Sequence, residues 1–183
     1  MNRNTTARIT LLASATRPDP IAVHEVRDLE HLAEILNEPL CHADKHAAPL
    51  WLPGVLKRGG RRCNADVEAL YFFVADLDDW TDTALDRLTR RLEMLDVGHI
   101  FHPTHSHAAA QMRGLHRLRL ICPLAVPVTR LQWTRVWQQA SALLGGGFDA
   151  SCKDVARAYW PLVHPPGAEK HAWVRHTPGG VLP

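Results

Sequence analysis

The chain has 183 residues, 46% of them apolar, enough to bury a core of domain size. Its formal net charge is +2, so bulk charge does not make it a general polyanion binder, and contact with nucleic acid has to come from a local basic patch. No apolar run reaches the roughly 18 residues of a membrane span, and Met1 to Thr10 lacks the apolar segment of a signal peptide, so a soluble cytoplasmic protein with no membrane partner is expected.

Ile21 to Val26 predicts a short strand, and Asp28 to Leu36 a helix with Leu29, Leu32, Ala33 and Leu36 on one face. Pro39 ends that helix, and Cys41 to Arg62 reads as a long connection. Its last part, Lys57-Arg58-Gly59-Gly60-Arg61-Arg62, is the densest basic run in the chain, either a solvated loop or a phosphate-contacting one. Ala69 to Ala75 is continuously apolar and predicts a strand buried on both faces. Thr81 caps a helix with the stripe Leu85, Leu88, Leu92 and Leu95, which Gly98 stops. His99 to Ser106 and Arg117 to Pro123 predict strands, and Thr129 to Leu144 an amphipathic helix that Gly145-Gly146-Gly147 ends. Ala158 to Val163 and Ala172 to Arg175 look like short strands, and Pro178-Gly179-Gly180 like a linker. The pattern predicts an α+β or α/β domain, a mixed sheet with helices packed on it.

Cys41, Cys63, Cys122 and Cys152 contain no CxxC pair, which speaks against a thiolate zinc site or a disulfide framework and for reduced, mostly buried thiols. The chemistry concentrates elsewhere. Asp76-x-Asp78 ends the most apolar strand, and strand side chains alternate. Both carboxylates therefore leave one face, Leu77 enters the core and Asp79 points away. Two like charges so close are costly to ionise without a cation between them, which a hard divalent ion supplies. The plain alternative is a turn rich in capping Asp, weakened because Thr81 offers another cap. Asp149, after Gly145-Gly146-Gly147-Phe148, completes a three-carboxylate set or is a simple turn residue. In Thr104-His105-Ser106-His107 the two imidazoles share a face if the segment is extended, and either bind metal or phosphate or are polar residues at a strand end. Arg117-x-Arg119 puts two planar forks on one strand face, suited to triphosphate oxygens or to the protection of an edge strand. Lys153 and Arg157 follow Asp149.

The order of these features resembles the archaeo-eukaryotic primase superfamily, in particular the primase-polymerase modules of plasmids, phages and other mobile elements. The resemblance runs from about Lys57 to Pro166. It rests on Val74-Ala75-Asp76-Leu77-Asp78, on Thr104-His105-Ser106-His107, on Phe148-Asp149, on the Arg117 to Leu124 strand and on Ser151 to Arg157; Asn64 also fits. It implies an RNA-recognition-motif-like catalytic core packed with a second small α/β unit. Within a single domain of residues 1–183, residues 1–62 would form an N-terminal α/β unit with the basic loop, 63–166 the catalytic core and 167–183 a C-terminal strand and tail. It implies a DNA primase or DNA polymerase, a nucleotidyltransferase of DNA replication that joins NTP or dNTP on a single-stranded DNA template. Asp76, Asp78 and Asp149 would hold two Mg²⁺ or Mn²⁺ ions. His107 would contact the nucleotide phosphates, with Arg119 and Lys153, and with Arg117, His105 and Arg157 as further candidates. Such modules sit in longer chains beside a helicase or an accessory helical domain, so such a partner is expected in a longer native chain.

Two rivals use other residues. An HUH-type replication nickase would bind metal through His105 and His107 and attack with Tyr159, although Ser106 is polar where that pattern needs an apolar residue. A catalytically inactive nucleic-acid-binding module would keep the fold without the activity, but the full set of acids argues against it.

Overall fold

The computed structural model describes residues 6–183. The reading of Met1 to Thr10 as no signal peptide falls partly on residues 1–5, outside the described ones. Strand β1 (Ala7–Ser14), which begins inside that stretch, was not expected from the sequence. It pairs antiparallel with β2 (Arg17–Val26), which extends the expected strand toward the N-terminus. Helix α1 (Leu29–Leu36) follows, capped by the Asp28 carboxylate accepting from the His31 N–H, with Leu32, Ala33 and Leu36 buried.

The long connection after it contains β3 (Leu40–Cys41), β4 (Leu50–Leu52) and β5 (Gly54–Leu56). These strands are two or three residues long, below the length at which periodicity is visible. The basic run behind them mostly folds back on the chain. Arg61 pairs with Asp19 at 2.9 Å, Arg62 donates to the Ala15 carbonyl and Lys57 to the Ala65 carbonyl.

Strand β6 (Val67–Trp80) carries the apolar run straight through the acids. Helix α2 (Asp82–Met94) is capped by Thr81, whose hydroxyl accepts from the Ala84 N–H. Leu88 and Leu92 are buried beneath it, whereas Leu95 lies past its end and is exposed. Strand β7 (His99–Pro103) stops earlier than expected, because the Thr104 N–H bonds to Arg117 and the chain turns into the short helix α3 (His107–Gln111). Strand β8 (His116–Val128) and helix α4 (Arg130–Leu143) follow, the helix opened by a capping box of Thr129 and Gln132. The expected strand over Ala158 to Val163 is reduced to a bridge of Tyr159 to Trp51 and to β9 (Val163–His164). Strand β10 (Arg175–Thr177) lies slightly later than predicted.

The result is an α+β fold with antiparallel sheets. Five strands run in the order β10-β7-β8-β6-β5, three in the order β2-β1-β4, and β3 pairs with β9. The expected mixed sheet is corrected in one respect: all strand pairings in the five-stranded sheet are antiparallel, and among the described residues parallel pairing is that of β3 with β9 and the isolated bridges Val97 to Gly180 and Leu124 to Leu182. Helix α4 covers one face of β6, where Phe73 packs on Trp137 and Phe148. Asp76 and Asp78 alternate onto the other face.

The C-terminal segment corrects the linker reading. Gly98 N–H donates to Gly180, the Leu182 N–H to Pro123, and Leu182 is fully buried. No described helix is long and apolar enough to cross a membrane.

Candidate active site

Strand β6 pairs with β8 so that Asp76 stands opposite Arg119. The guanidinium grips the carboxylate with two bonds, Nε to Oδ1 at 2.8 Å and Nη2 to Oδ2 at 3.2 Å, and both side chains are buried. Arg119 also donates to the Trp160 carbonyl and lies 4.7 Å over the Tyr159 ring. Burial works against its charge, but the Asp76 carboxylate outweighs it and raises the guanidinium further.

Asp149 arrives from the far end of α4. Gly145, Gly146 and Gly147 all have positive φ, a backbone that glycine adopts without strain, and they turn the chain back toward β6. The Asp149 N–H then donates to the Asp76 carbonyl at 3.0 Å. Its carboxylate caps the 3₁₀ turn Ala150–Lys153, accepting from the Ser151 N–H and hydroxyl. The turn-residue reading of Asp149 therefore holds together with the convergence: a carboxylate oxygen lies within 4.8 Å of one on Asp76. Burial raises the Asp149 carboxyl, but the Ser151 bonds and the nearby Arg157 charge outweigh it and hold it below the usual carboxylate range.

Asp78 is different. Burial pushes its carboxyl up; Arg117 opposes this, and the charges of Asp76, Asp149 and Asp79 add to it. Three acids thus line one cavity of about 160 Å³, together with Lys45, Thr104, His105, Arg117, Arg157 and Trp160. Arg157 lies 3.8 Å from Asp76 and 3.9 Å from Asp149. A larger cleft of about 700 Å³ between α2 and the end of α4 holds none of these three acids.

Asp79 takes a positive φ at the irregularity in β6 between Leu77 and Trp80, where Arg113 and Arg117 bind it at 2.9 Å. Those bonds, the Arg117 bond first, hold its carboxyl below the usual range. Arg117 thereby spans Asp79 and the Ser106 hydroxyl.

Several expected roles change with this geometry. His107 opens α3 instead of extending β7, so it does not share a face with His105. It is buried against His116, His171 and Trp173, and its Nδ1 accepts from the Arg117 N–H. Burial, then the neighbouring His116 and His171 charges, lower it to about 4. His105 lines the cavity instead, with Nε2 2.9 Å from the His42 carbonyl. Lys153 is exposed and does not line the cavity. The Arg119 fork is engaged by Asp76 and the Trp160 carbonyl, and the residue borders the same cavity. Tyr159, the nucleophile of the nickase reading, is buried, and burial pushes its phenol well above the usual range. Buried in the core, Tyr159 is closed off from a DNA strand, and His105 and His107 do not share a face, so the geometry does not fit the nickase reading.

Two residues were missed. Lys45, in a 3₁₀ turn after β3, lies 4.6 Å over the Trp160 ring at the cavity wall. Cys152 is buried beneath Asp76, where its sulfur accepts the Asp76 N–H at 3.4 Å. Burial raises this thiol to about 11; its sulfur lies within 4.8 Å of the Asp76 and Asp149 oxygens, but hard cations take oxygen ligands. Of the four cysteines only Cys122 and Cys152 are buried, fewer than expected.

A family model described as the VapE N-terminal domain matches residues 51–169, about two thirds of the chain. The chain belongs to that family. As a VapE N-terminal domain it keeps β6, β8, Asp149 and Arg157 inside the matched region, while Lys45 and β3 lie before it. Among solved structures, the primase-polymerase (PrimPol) AEP domain of cyanophage S-2L is similar, with 13% identity and a TM-score of 0.47, covering 97% of this chain and 89% of that one. No curated protein matches the chain.

Proposed function

We propose that this chain is a nucleotidyltransferase of the primase-polymerase kind, which joins nucleotides on single-stranded DNA with divalent ions held by Asp76, Asp78 and Asp149. One observation supports the reading: the Asp149 N–H bonds the Asp76 carbonyl, across 73 residues of sequence, and Asp149 lines one cavity with Asp76, Asp78 and several cationic side chains.

The residues fit a hard divalent cation. The Asp78 carboxyl is raised first by burial and then by the neighbouring acids, a penalty that a cation removes. The Arg119 grip on Asp76 does not exclude this, because a carboxylate offers about four lone-pair positions. When bound, such ions would neutralise charge on the triphosphate and favour the ionised attacking hydroxyl.

The chain's own side chains do the rest. Lys45, Arg117, His105 and Arg157 border the cavity and are suited to hold triphosphate oxygens in line with the primer end. Arg119 acts as a positioning residue, fixing the orientation of Asp76, and His107 supports the backbone at Arg117. A helicase or accessory helical partner in a longer native chain remains part of the proposal, as do Mg²⁺ or Mn²⁺ as the ions.

The test is synthesis on single-stranded DNA with either nucleotide set, comparing Mg²⁺ and Mn²⁺. Asp78→Asn should lose incorporation by about 10²-fold or more while circular dichroism and thermal unfolding stay near wild type. Undiminished synthesis by the folded variant would overturn the assignment. Nucleotide binding without any incorporation by the wild-type chain would favour the inactive binding module.

A further inference from the structure

A second cluster of metal-ligating side chains lies outside the acidic cavity. Cys41 on β3, His164 on β9 and Glu169 at the start of the 3₁₀ turn Glu169–His171 bring one potential ligand atom each within 4.8 Å of one another. Cys41 and His164 are direct partners in the parallel β3–β9 pair, so the pairing itself sets them side by side. The turn Pro165–Ala168, with Gly167 at positive φ, then returns Glu169 to the same spot.

We propose that these three residues form a zinc site, with water in the fourth position. A thiolate, an imidazole and a carboxylate are a zinc donor set, and the thiolate selects against Mg²⁺, which takes oxygen ligands. Two of the three donors are already oriented by the kind of outer bonds that metal ligands make. His164 Nδ1 is 3.0 Å from the Pro165 carbonyl oxygen. A carbonyl only accepts, so Nδ1 carries the hydrogen and Nε2 keeps its lone pair for the ion. The Gly167 N–H holds Glu169 Oε1 at 3.0 Å, and a carboxylate's further lone pairs remain for an ion. In a tetrahedral zinc site the ligand atoms stand about 3.3–3.8 Å apart, from bond lengths of about 2.0–2.3 Å. Cys41 is exposed, so its side chain has room to turn and close the remaining gap.

The site would fasten the N-terminal half to the C-terminal half beside the acidic cavity. His42, next to Cys41, donates its N–H to the His164 carbonyl and accepts His105 Nε2 on its own carbonyl. Lys45 follows a few residues later at the cavity wall. The zinc site does not depend on the proposed activity, and its donors are not those of the acidic cavity.

The experiment loads the full chain with Zn²⁺, removes excess metal by dialysis and measures zinc by mass spectrometry. One zinc per chain is expected for the wild type, and a several-fold loss for Cys41→Ser and Glu169→Gln. Both replaced residues are exposed, so these variants keep the fold, which circular dichroism checks. Replacing zinc with Co²⁺ should give a thiolate charge-transfer band in the near ultraviolet that Cys41→Ser abolishes. Zinc well below one per chain, or zinc retained at full stoichiometry in Cys41→Ser, overturns the proposal. So does zinc lost in Asp78→Asn but kept in Cys41→Ser.

Discussion

Asp76 and Arg119 are cross-strand neighbours whose charges are both out of water. Removing one partner of such a pair leaves the other buried and uncompensated, at a cost of about 3–5 kcal/mol. Asp76→Ala should therefore lower stability by that order in denaturant unfolding, in addition to any loss of activity. Asp78 is half-exposed and faces Arg117 only at 3.9 Å, so its replacement separates chemistry from folding. His107 gives a residue-scale prediction for pH. Its folded value of about 4 lies below the roughly 6.5 of an unfolded imidazole. Between those values the unfolded chain takes up a proton that the folded chain refuses. Stability is therefore complete above about pH 6.5 and drains as pH falls toward 4. His102, lowered by burial and then by Arg119 to about 3, adds to the same trend. The thermal midpoint should fall across that window, and His107→Gln, which does not titrate, should flatten the slope; an unchanged slope would remove His107 as its source.

At the scale of elements, β6 and the C-terminal segment teach opposite lessons. The apolar run before Asp76 made a central strand readable, and alternation correctly sent Leu77 to the core and both acids to one face. Pro178-Gly179-Gly180 has the composition of a linker, yet its glycines are there for close approach. A Cβ on Gly179 would lie 2.5 Å from the Gly98 nitrogen. Gly179→Ala should destabilise the fold even though the residue is exposed. Leu182→Ala removes a fully buried side chain and should cost about 2–5 kcal/mol in the same unfolding measurement. Wild-type stability in both variants would mean that the segment is not docked in solution. His99 to Ser106 was half legible: His99–Pro103 is a strand, but the Thr104 bonds to Arg117 bend the rest away, and the two histidines part.

At the scale of the whole molecule, the five-stranded sheet takes β5 from the N-terminal stretch and β10 from the C-terminal one, around the β6, β7 and β8 between them. The cavity likewise draws Lys45 from before β4 and Arg157 and Trp160 from near the C-terminus. Losing one charged contact to a phosphate costs about 1.5–3 kcal/mol, which is roughly 10–150-fold in affinity. Lys45→Ala should raise KM for the nucleotide by about that factor, with the larger share in KM and not in kcat; an unchanged KM would remove Lys45 from the binding wall.

Local pattern alone was enough for the α+β class, the central strand, the Thr81 cap of α2, and the pairing of Asp76 with Asp78 on one face, because each depends on residues a few positions apart. The tertiary structure decided the rest. Asp149 reaches Asp76 only through a backbone bond made after α4 has crossed the sheet, Lys45 reaches the cavity only because β3 lies beside β9, and the same pairing sets Cys41 against His164. Residues far apart in the chain have no periodicity between them, so only the path of the folded backbone brings them together.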